Sequence, residues 1–291
     1  MVGILFIVAS VTLQAFVLSK ISYQFSSAEV MTFSVFSFLL CTLIFGLKLL
    51  LKGQINITKK KGMNITILNI HTLLAFGSFH LALIFLPASS AALFETSIAL
   101  LAIALLTKEI PNRILQTCVI IAFTLGFILA ANAFSVELIQ GAILSALAGV
   151  GAATISVRSN HEHNKVLSTD EALAYRFILS GVVVLSALYF SGSGLQFSVS
   201  YIEVVLLSLF GFVLPFYLLQ KGMAVTKPVL TISMLSVIPV VSYLFESVFY
   251  ASTSLIELTL MSCSIILIIL YSCRGLINEA QSNTKAKAEC A

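Results

Sequence analysis

The stretch Pro87–Glu109 reads PASSAALFETSIALLAIALLTKE, and it decides the fold class of this chain. An α-helix rises about 1.5 Å per residue and the hydrocarbon core of a bilayer is about 30 Å thick, so about 20 apolar residues span it. The stretch is long enough, yet it carries a carboxylate, Glu95, within its first half. An ionisable group at membrane depth costs roughly 2.5–3.5 kcal/mol and normally faces a cavity or a partner. We predict a transmembrane helix in which Glu95 either serves a functional cavity or is neutral and hydrogen-bonded within a helix interface.

The composition of the whole chain agrees with a membrane protein. The 291 residues are 59% hydrophobic and 10% charged, with a mean hydropathy of +1.08. A soluble domain of this size could not bury so much apolar surface, so that class is excluded. The cysteines form no CxxC pair and most lie in apolar runs, so we predict neither a disulfide nor a metal site. The N-terminal MVGILFIVAS lacks a positive n-region and a cleavage site, so the first helix is expected to be retained.

Apolar runs of spanning length recur along the chain and predict an all-α polytopic membrane protein with ten transmembrane helices. The third and fourth runs are almost continuous, and Pro87 is the expected turn between them because proline interrupts the helical hydrogen bonds. The predicted spans are residues 2–19, 29–51, 65–86, 88–107, 114–133, 137–157, 169–190, 199–220, 229–250 and 255–273.

The distribution of basic residues predicts the orientation of these spans. With the N-terminus inside, the inner loops and the C-terminal tail hold all of the 16 Lys and Arg residues except Lys20 and Arg176. Positive charge in short loops marks the cytoplasmic side. We therefore expect a multi-pass protein of the cell inner (cytoplasmic) membrane, with the lipid bilayer as its surroundings and both termini in the cytoplasm.

The chain also has the pattern of an internal duplication. Residues 26–36, SSAEVMTFSVF, and residues 168–178, STDEALAYRFI, each begin with a Ser-x-x-Glu capping box at the start of a span and carry an aromatic residue in register. Any two capped apolar helices could look alike, which is the alternative. An odd number of spans in each half would make the halves inverted repeats, which place a binding site at their interface near the midplane. We predict repeats at residues 1–136 and 137–276, followed by a disordered cytoplasmic tail at residues 277–291.

These features resemble the EamA-like branch of the drug/metabolite transporter superfamily. The segment Ala174–Leu179, AYRFIL, is similar to the family's Arg-Phe helix start, and Phe216–Gly222, FYLLQKG, to its turn after the eighth span. Pro239 lies where the ninth span usually carries a proline. Ser34 and Thr96 depart from the family pattern, since the first stands where an arginine would match Arg176 and the second where a proline is expected. The resemblance implies a secondary carrier that moves small metabolites, amino acids or drugs, often outward.

Few polar side chains inside the predicted spans could carry chemistry. Burial disfavours a charged carboxylate, so Glu95 is the first candidate for proton coupling or for contact with a substrate amine. Arg176 could grip a carboxylate or phosphate, or else extend to the interface or pair with nearby acids. His80 is either a proton relay or an interhelical hydrogen bonder. The remaining candidates for substrate binding or coupling are Glu246, Gln14, Gln140, Tyr175 and Phe94.

No motif indicates an enzyme, a cofactor, a metal or a nucleic acid. The pair His161 and His163 lacks the HExxH spacing, and no Walker, dinucleotide or nucleophile–base pattern occurs. We predict a secondary-active transporter, and specifically an exporter, of a small metabolite such as an amino acid or a drug-like compound. It would work by alternating access. Coupling to protons and assembly as a homodimer are both compatible with this prediction. The alternatives are an uncoupled facilitator of a small polar metabolite and a non-transporting membrane assembly or signalling protein.

Overall fold

The structure is a computed structural model that describes residues 2–53, 58–106, 116–122, 124–126, 135–158, 167–192, 194–195, 197–226, 228–250, 256, 259–268 and 270. Within these ranges every regular element is helical. Eight of the helices are apolar and long enough to cross a membrane. The all-α, multi-pass class predicted from the sequence is therefore confirmed.

The helices follow the predicted spans closely along the described chain. Two helices, α5 and α10, are shorter than a membrane is thick and cover parts of the predicted fifth and tenth spans, whose other residues lie outside the described ranges. The tail 277–291 and the histidine pair at 161 and 163 also lie outside them. In chain order the helices are α1 Val2–Gln24, α2 Ser27–Leu51, α3 Lys59–Ala82, α4 Ala88–Leu106, α5 Gln116–Gly126, α6 Val136–Arg158, α7 Thr169–Phe190, α8 Tyr201–Met223, α9 Pro228–Leu235 with Val237–Tyr250, and α10 Thr259–Ile268.

The starts of α2 and α7 are set by the two predicted capping boxes. At α2 the amide of Ser26 donates to the Glu29 carboxylate at 2.8 Å, and the Glu29 amide donates back to the Ser26 hydroxyl. At α7 Ser168 and Glu171 make the same reciprocal pair, with the Ser168 amide again 2.8 Å from the carboxylate. Each box satisfies backbone amides that have no partner within the helix. The two similar sequence segments therefore share a local structure.

Pro87 lies in the turn between α3 and α4, as expected, but α3 begins and ends earlier than the predicted span. It starts at Lys59 behind a Thr58 cap and stops at Ala82, which leaves residues 83–87 for the turn. The Thr58 hydroxyl accepts from the Lys61 amide at 3.3 Å. A run of lysines in the first turn has low hydropathy, so the apolar pattern alone placed the helix start too late.

Three helices depart from regular α geometry. A π-helical segment interrupts α3 at Leu73–Gly77, and another interrupts α8 at Leu209–Val213. Helix α7 is broken at Arg176 and Phe177 into the segments Thr169–Tyr175 and Ile178–Phe190. Irregular turns of this kind inside membrane helices are found where side chains satisfy the freed backbone groups.

The break in α7 is bridged by one side chain of α3. The Asn69 amide nitrogen donates to the Tyr175 carbonyl at 2.7 Å, and its oxygen accepts from the Leu179 amide at 3.0 Å. Asn69 is buried, so water cannot substitute for either bond. This residue holds the two segments of α7 in place and presents Arg176 to the interior.

The helices pack in a paired arrangement. Helix α1 lies against α8 and α9, and α6 lies against α3 and α4, while α2 packs on α7 and α4 on α9. Small residues allow the closest approaches. A Cβ added to Gly149 of α6 would lie 2.4 Å from the Glu95 carbonyl oxygen of α4, and one added to Gly211 of α8 would lie 2.4 Å from Val17 of α1. These contacts surround the centre of the bundle and leave a cavity there.

Candidate functional site: a central cavity

The cavity lies between α1, α2, α3, α4, α6, α8 and α9 and has about 850 Å³ of empty space, including its mouth. Its lining is mostly apolar, with a few polar side chains set among phenylalanine rings. The polar members are Gln14, His80, Glu95, Thr96 and Ser156, and the phenylalanines are Phe33, Phe76, Phe79, Phe212 and Phe216.

Glu95 lines the cavity from α4, as one of the two sequence interpretations proposed. Its side chain is partly buried, and within the described residues it makes no hydrogen bond and no ion pair. Its position is fixed by the close approach of Gly149 to its backbone, since a larger residue there would push α4 away. The structure therefore presents a carboxylate without a protein partner to the cavity, and the interpretation of a helix-interface hydrogen bond does not describe it.

His80 also lines the cavity, and its ring orientation is set by Ser34 of α2. The Ser34 hydroxyl is 2.7 Å from His80 Nδ1 and donates to the Val30 carbonyl, also at 2.7 Å. A hydroxyl has one proton and a carbonyl can only accept, so Ser34 accepts from Nδ1–H. The tautomer with the proton on Nδ1 follows, and the Nε2 lone pair is left for the cavity.

Gln14 lines the cavity from α1 and is oriented in the same manner. Its amide nitrogen donates to the Ser10 hydroxyl at 2.7 Å, and that hydroxyl donates to the Pro215 carbonyl of α8 at 2.8 Å. The Ser10 oxygen must therefore accept from Gln14, which fixes the side-chain amide with its nitrogen toward Ser10. The Gln14 carbonyl oxygen and its second amide N–H are left unused by these bonds.

Arg176 lies behind the cavity wall and does not line it. The side chain is 0% exposed, and its Nε and Nη1 atoms donate to Thr72 at 3.3 Å and to Gln220 at 2.9 Å. Nη2 has no hydrogen-bond partner within the described chain. The guanidinium carbon lies 5.2 Å from the centre of the Phe76 ring and 5.3 Å from that of Phe177. Arg176 therefore neither extends to an interface nor pairs with a carboxylate, in contrast to both structural alternatives considered from the sequence.

Glu246 caps a helix instead of lining the cavity. Its carboxylate accepts from the backbone amide of Ser89 at 3.1 Å and from the Ser89 hydroxyl, in the first turn of α4. An acidic group at a helix N-terminus satisfies free amides and interacts favourably with the helix dipole. Glu246 therefore connects α9 to α4.

Three further candidates lie away from the cavity. Phe94 is buried in the helical core beside Glu95, and Tyr175 is half-buried at the end of the first α7 segment. Gln140 is exposed near the start of α6. Gln14 is the thirteenth residue of α1, whereas Gln140 is the fifth residue of α6, so the two glutamines lie at different positions along their helices.

Sequence reasoning missed the phenylalanines of the cavity. Phe212 and Phe216 of α8 have ring centres 4.3 Å apart, and Phe76 of α3 meets Phe216 edge-on at 4.4 Å. Phe76 and Phe212 lie within the two π-helical segments, and each is next to a glycine, Gly77 and Gly211 respectively. A phenylalanine beside a glycine was the available signal.

Charged side chains connect the helices at both ends of the bundle. At one end Lys61 of α3 meets Glu171 of α7 at 2.6 Å, and Lys48 and Lys52 of α2 meet Asp170 at 2.9 and 3.3 Å. At the other end Lys20 of α1 meets Glu203 of α8 at 2.5 Å. The cavity lies between these two sets of ion pairs.

Comparison with models of known families and with curated proteins found no match to this sequence. Comparison with solved structures did. One crystal structure of a protein superposes with a TM-score of 0.61 and 19% sequence identity, covering 94% of this chain and 98% of that chain. At this identity the likeness extends to the fold alone, and it covers nearly the whole of both chains.

Proposed function

We propose that this protein is a secondary-active transporter of the EamA-like branch of the drug/metabolite transporters, which exports a small metabolite by alternating access. The observation that carries the proposal is the central cavity with an unpartnered carboxylate, Glu95, among apolar and aromatic side chains. An ionisable group at membrane depth is a functional-site hypothesis by default. Export, the inner membrane and cytoplasmic termini rest on the sequence resemblance and on the positions of the basic residues.

The packing supports two inverted repeats of five helices. Exchanging each helix for the one five places along turns the α1–α8 contact into α6–α3 and the α1–α9 contact into α6–α4, and both pairs are present. The π-helical segments of α3 and α8 and the capping boxes of α2 and α7 fall on equivalent helices. Apart from α2, the cavity is lined by α1, α3 and α4 from one repeat and α6, α8 and α9 from the other. A cavity at such an interface fits alternating access, in which one repeat moves against the other.

The ion pairs at the two ends of the bundle are compatible with alternating access. The pairs Lys61–Glu171 and Lys20–Glu203 each join a helix of the first repeat to a helix of the second. Exposed pairs are worth only about 0.2–1 kcal/mol each, so either set can break without a large cost. Opening at one end while the other stays tied would expose the cavity to one side at a time.

Glu95 could act in proton coupling or in substrate recognition, and transport assays distinguish these two roles. In proton exchange the carboxylate must release its proton, so Glu95→Gln should abolish uphill accumulation in proteoliposomes with an imposed pH gradient. Exchange of labelled for unlabelled substrate should continue. If Glu95 only contacts substrate, the variant should instead weaken affinity about 10- to 150-fold, as expected for a charge-assisted hydrogen bond.

The alternative functions predict different results in transport assays. An uncoupled facilitator would equilibrate substrate without responding to the pH gradient. A membrane assembly or signalling protein would show no flux of any solute in purified vesicles. Unchanged accumulation and unchanged affinity in Glu95→Gln would leave Glu95 a structural residue and remove the basis of the proposal.

A further inference from the structure

Most of the polar groups of the cavity offer hydrogen-bond acceptors. The single proton on the His80 ring is used on Ser34, which leaves the Nε2 lone pair, and Gln14 gives one amide proton to Ser10 and keeps its carbonyl oxygen and one N–H. The Thr96 hydroxyl donates to the Ala92 carbonyl at 2.7 Å, which leaves its oxygen as an acceptor. Glu95 in its charged form offers two acceptor oxygens. Ser156, whose hydroxyl can donate or accept, completes the polar lining.

This arrangement is built by serine hydroxyls that stand outside the cavity. Ser10 and Ser34 are fully buried, and each directs its own proton to a backbone carbonyl, of Pro215 and Val30 respectively. Each serine therefore can only accept from its neighbour in the cavity wall. On two separate helices, α1 and α2, a buried serine thus takes one proton from a residue of the cavity wall and fixes its orientation.

From these contacts we infer that the cavity selects a lipophilic ammonium ligand, an organic amine with an aromatic or branched apolar body, and disfavours carboxylates. The ligand class is inferred from the cavity alone, and only the statement that the ligand is a transported substrate rests on the proposed function. An ammonium group has three donors and no acceptor, which matches Glu95, His80 and Gln14 together. The faces of the phenylalanine rings attract a cation, and their bodies cover the apolar part of the ligand. A carboxylate at this position would meet the charge of Glu95 and more acceptors than donors, so it would be repelled and poorly hydrogen-bonded.

The inference narrows the substrates considered from the sequence. An amino acid carries both an ammonium and a carboxylate, and the guanidinium of Arg176 is shut off behind the cavity wall, where it contacts Phe76 and Phe177. Amines without an acid group satisfy the cavity as it stands. Drug-like amines belong to that class.

Binding can be measured apart from transport by titrating purified protein in detergent with three matched probes. Phenethylamine, phenethyl alcohol and hydrocinnamate share an aromatic body and differ in the terminal group. We expect phenethylamine to bind at least about tenfold more tightly than the alcohol, with hydrocinnamate weaker still. Equal or tighter binding of hydrocinnamate, or no measurable binding of phenethylamine, would overturn the inference.

Variants connect this selectivity to the residues that produce it. Glu95→Gln should lower the affinity for phenethylamine about 10- to 150-fold, and Glu95→Asp, which keeps the charge, should retain more of it. Ser34→Ala and Ser10→Ala free His80 and Gln14 to present donors, so each should reduce the preference for the amine over the acid by up to about tenfold. Ser37→Ala is the matched control, since Ser37 is a buried serine of α2 that pairs with Ser208 at 2.9 Å away from the cavity. A preference that survives in the Ser10→Ala, Ser34→Ala double variant would contradict the proposed origin.

The two proposals fail separately. Selective binding of phenethylamine without flux in proteoliposomes would uphold the ligand class and reject the transporter. Flux of another solute by a protein that does not bind phenethylamine would uphold the transporter and reject the ligand class.

Discussion

Asn69 donates a 2.7 Å hydrogen bond to the backbone carbonyl of Tyr175, 106 residues further along the chain. The carbonyl belongs to the last residue before α7 breaks, so a side chain of α3 replaces a bond that the helix itself lacks. The same side chain accepts from Leu179 beyond the break. The geometry of the irregular segment is thus specified by one distant residue.

Replacing Asn69 by leucine should therefore destabilise the protein strongly. Each buried backbone group left without a partner costs about 1–3 kcal/mol, and two such groups lose theirs. Thermal or chemical unfolding in detergent measures the change. Thr66→Val, an exposed position of the same helix, is the control and should change the free energy of unfolding by less than about 0.5 kcal/mol. Equal stabilities for the two variants would show that the break does not depend on Asn69.

Arg176 and Gln220 should behave as a coupled pair in a double-mutant cycle. Arg176→Met removes a buried charge together with its desolvation cost but leaves the Gln220 oxygen, 2.9 Å from Nη1, without its donor. We expect it to cost about 1–3 kcal/mol. Adding Gln220→Leu should recover much of that loss, with a coupling energy of about 1.5–3 kcal/mol from unfolding measurements. Additive losses in the double variant would contradict the bond as the source of the effect.

The ion pairs at the lysine-rich end should control access to the interior from that side. Cys41 is fully buried on α2. In a chain whose other four cysteines are changed to serine, its alkylation reports opening of this region. Neutralising the acids with Asp170→Asn and Glu171→Gln removes three ion pairs, each worth about 0.2–1 kcal/mol.

Alkylation of Cys41 should consequently rise about 3- to 150-fold in the neutralised variant. Glu203→Gln, which removes the Lys20 pair at the opposite end, is the matched control and should not raise it. A rise in both variants would point to general loosening of the bundle, and no rise in either would mean that the pairs do not hold this end closed.

Two glycines within helices should respond in opposite directions to alanine. A Cβ at Gly149 would lie 2.4 Å from the Glu95 carbonyl oxygen and 3.0 Å from the Ala99 amide nitrogen, so α4 and α6 would have to separate. Gly149→Ala should cost about 1–3 kcal/mol and also weaken ligand binding, because it moves Glu95. Gly46→Ala of α2 meets nothing within 4 Å and should be neutral or stabilise by up to about 1 kcal/mol. Unfolding of the two single variants is the measurement, and a harmless Gly149→Ala would refute the close packing.

Much of the fold was accessible from the sequence because membrane helices are defined by length and apolarity. Each of the eight long helices overlaps a predicted span, and the capping boxes at Ser26 and Ser168 located two helix starts. The start of α3 was placed too late because its lysines hide a helical turn from hydropathy. Glu95 was identified as a candidate from the sequence because a carboxylate stands out in an apolar run, whichever way its side chain points.

The sequence did not predict which side of each helix faces the centre of the bundle. Arg176 lies within a predicted span, yet its contacts with Thr72 of α3 and Gln220 of α8 depend on helices distant in the sequence. The orientation of His80 depends on Ser34, 46 residues away, which the sequence marked only as a departure from a family pattern. Contacts of this kind have no periodic signature.

The π-helical segment Leu73–Gly77 has a further consequence for how α3 can change over evolutionary time. A π-turn accommodates one residue more than an α-turn, so loss of a single codon there would restore a regular helix. Because the π-turn already absorbs the extra residue, the segments on either side would keep the faces that they present. Phe79 and His80 would stay in the cavity wall, and the length and hydropathy of α3 would hardly change. A homologue with an alignment gap of one position in this segment of α3, or in that of α8, can thus keep the same cavity lining.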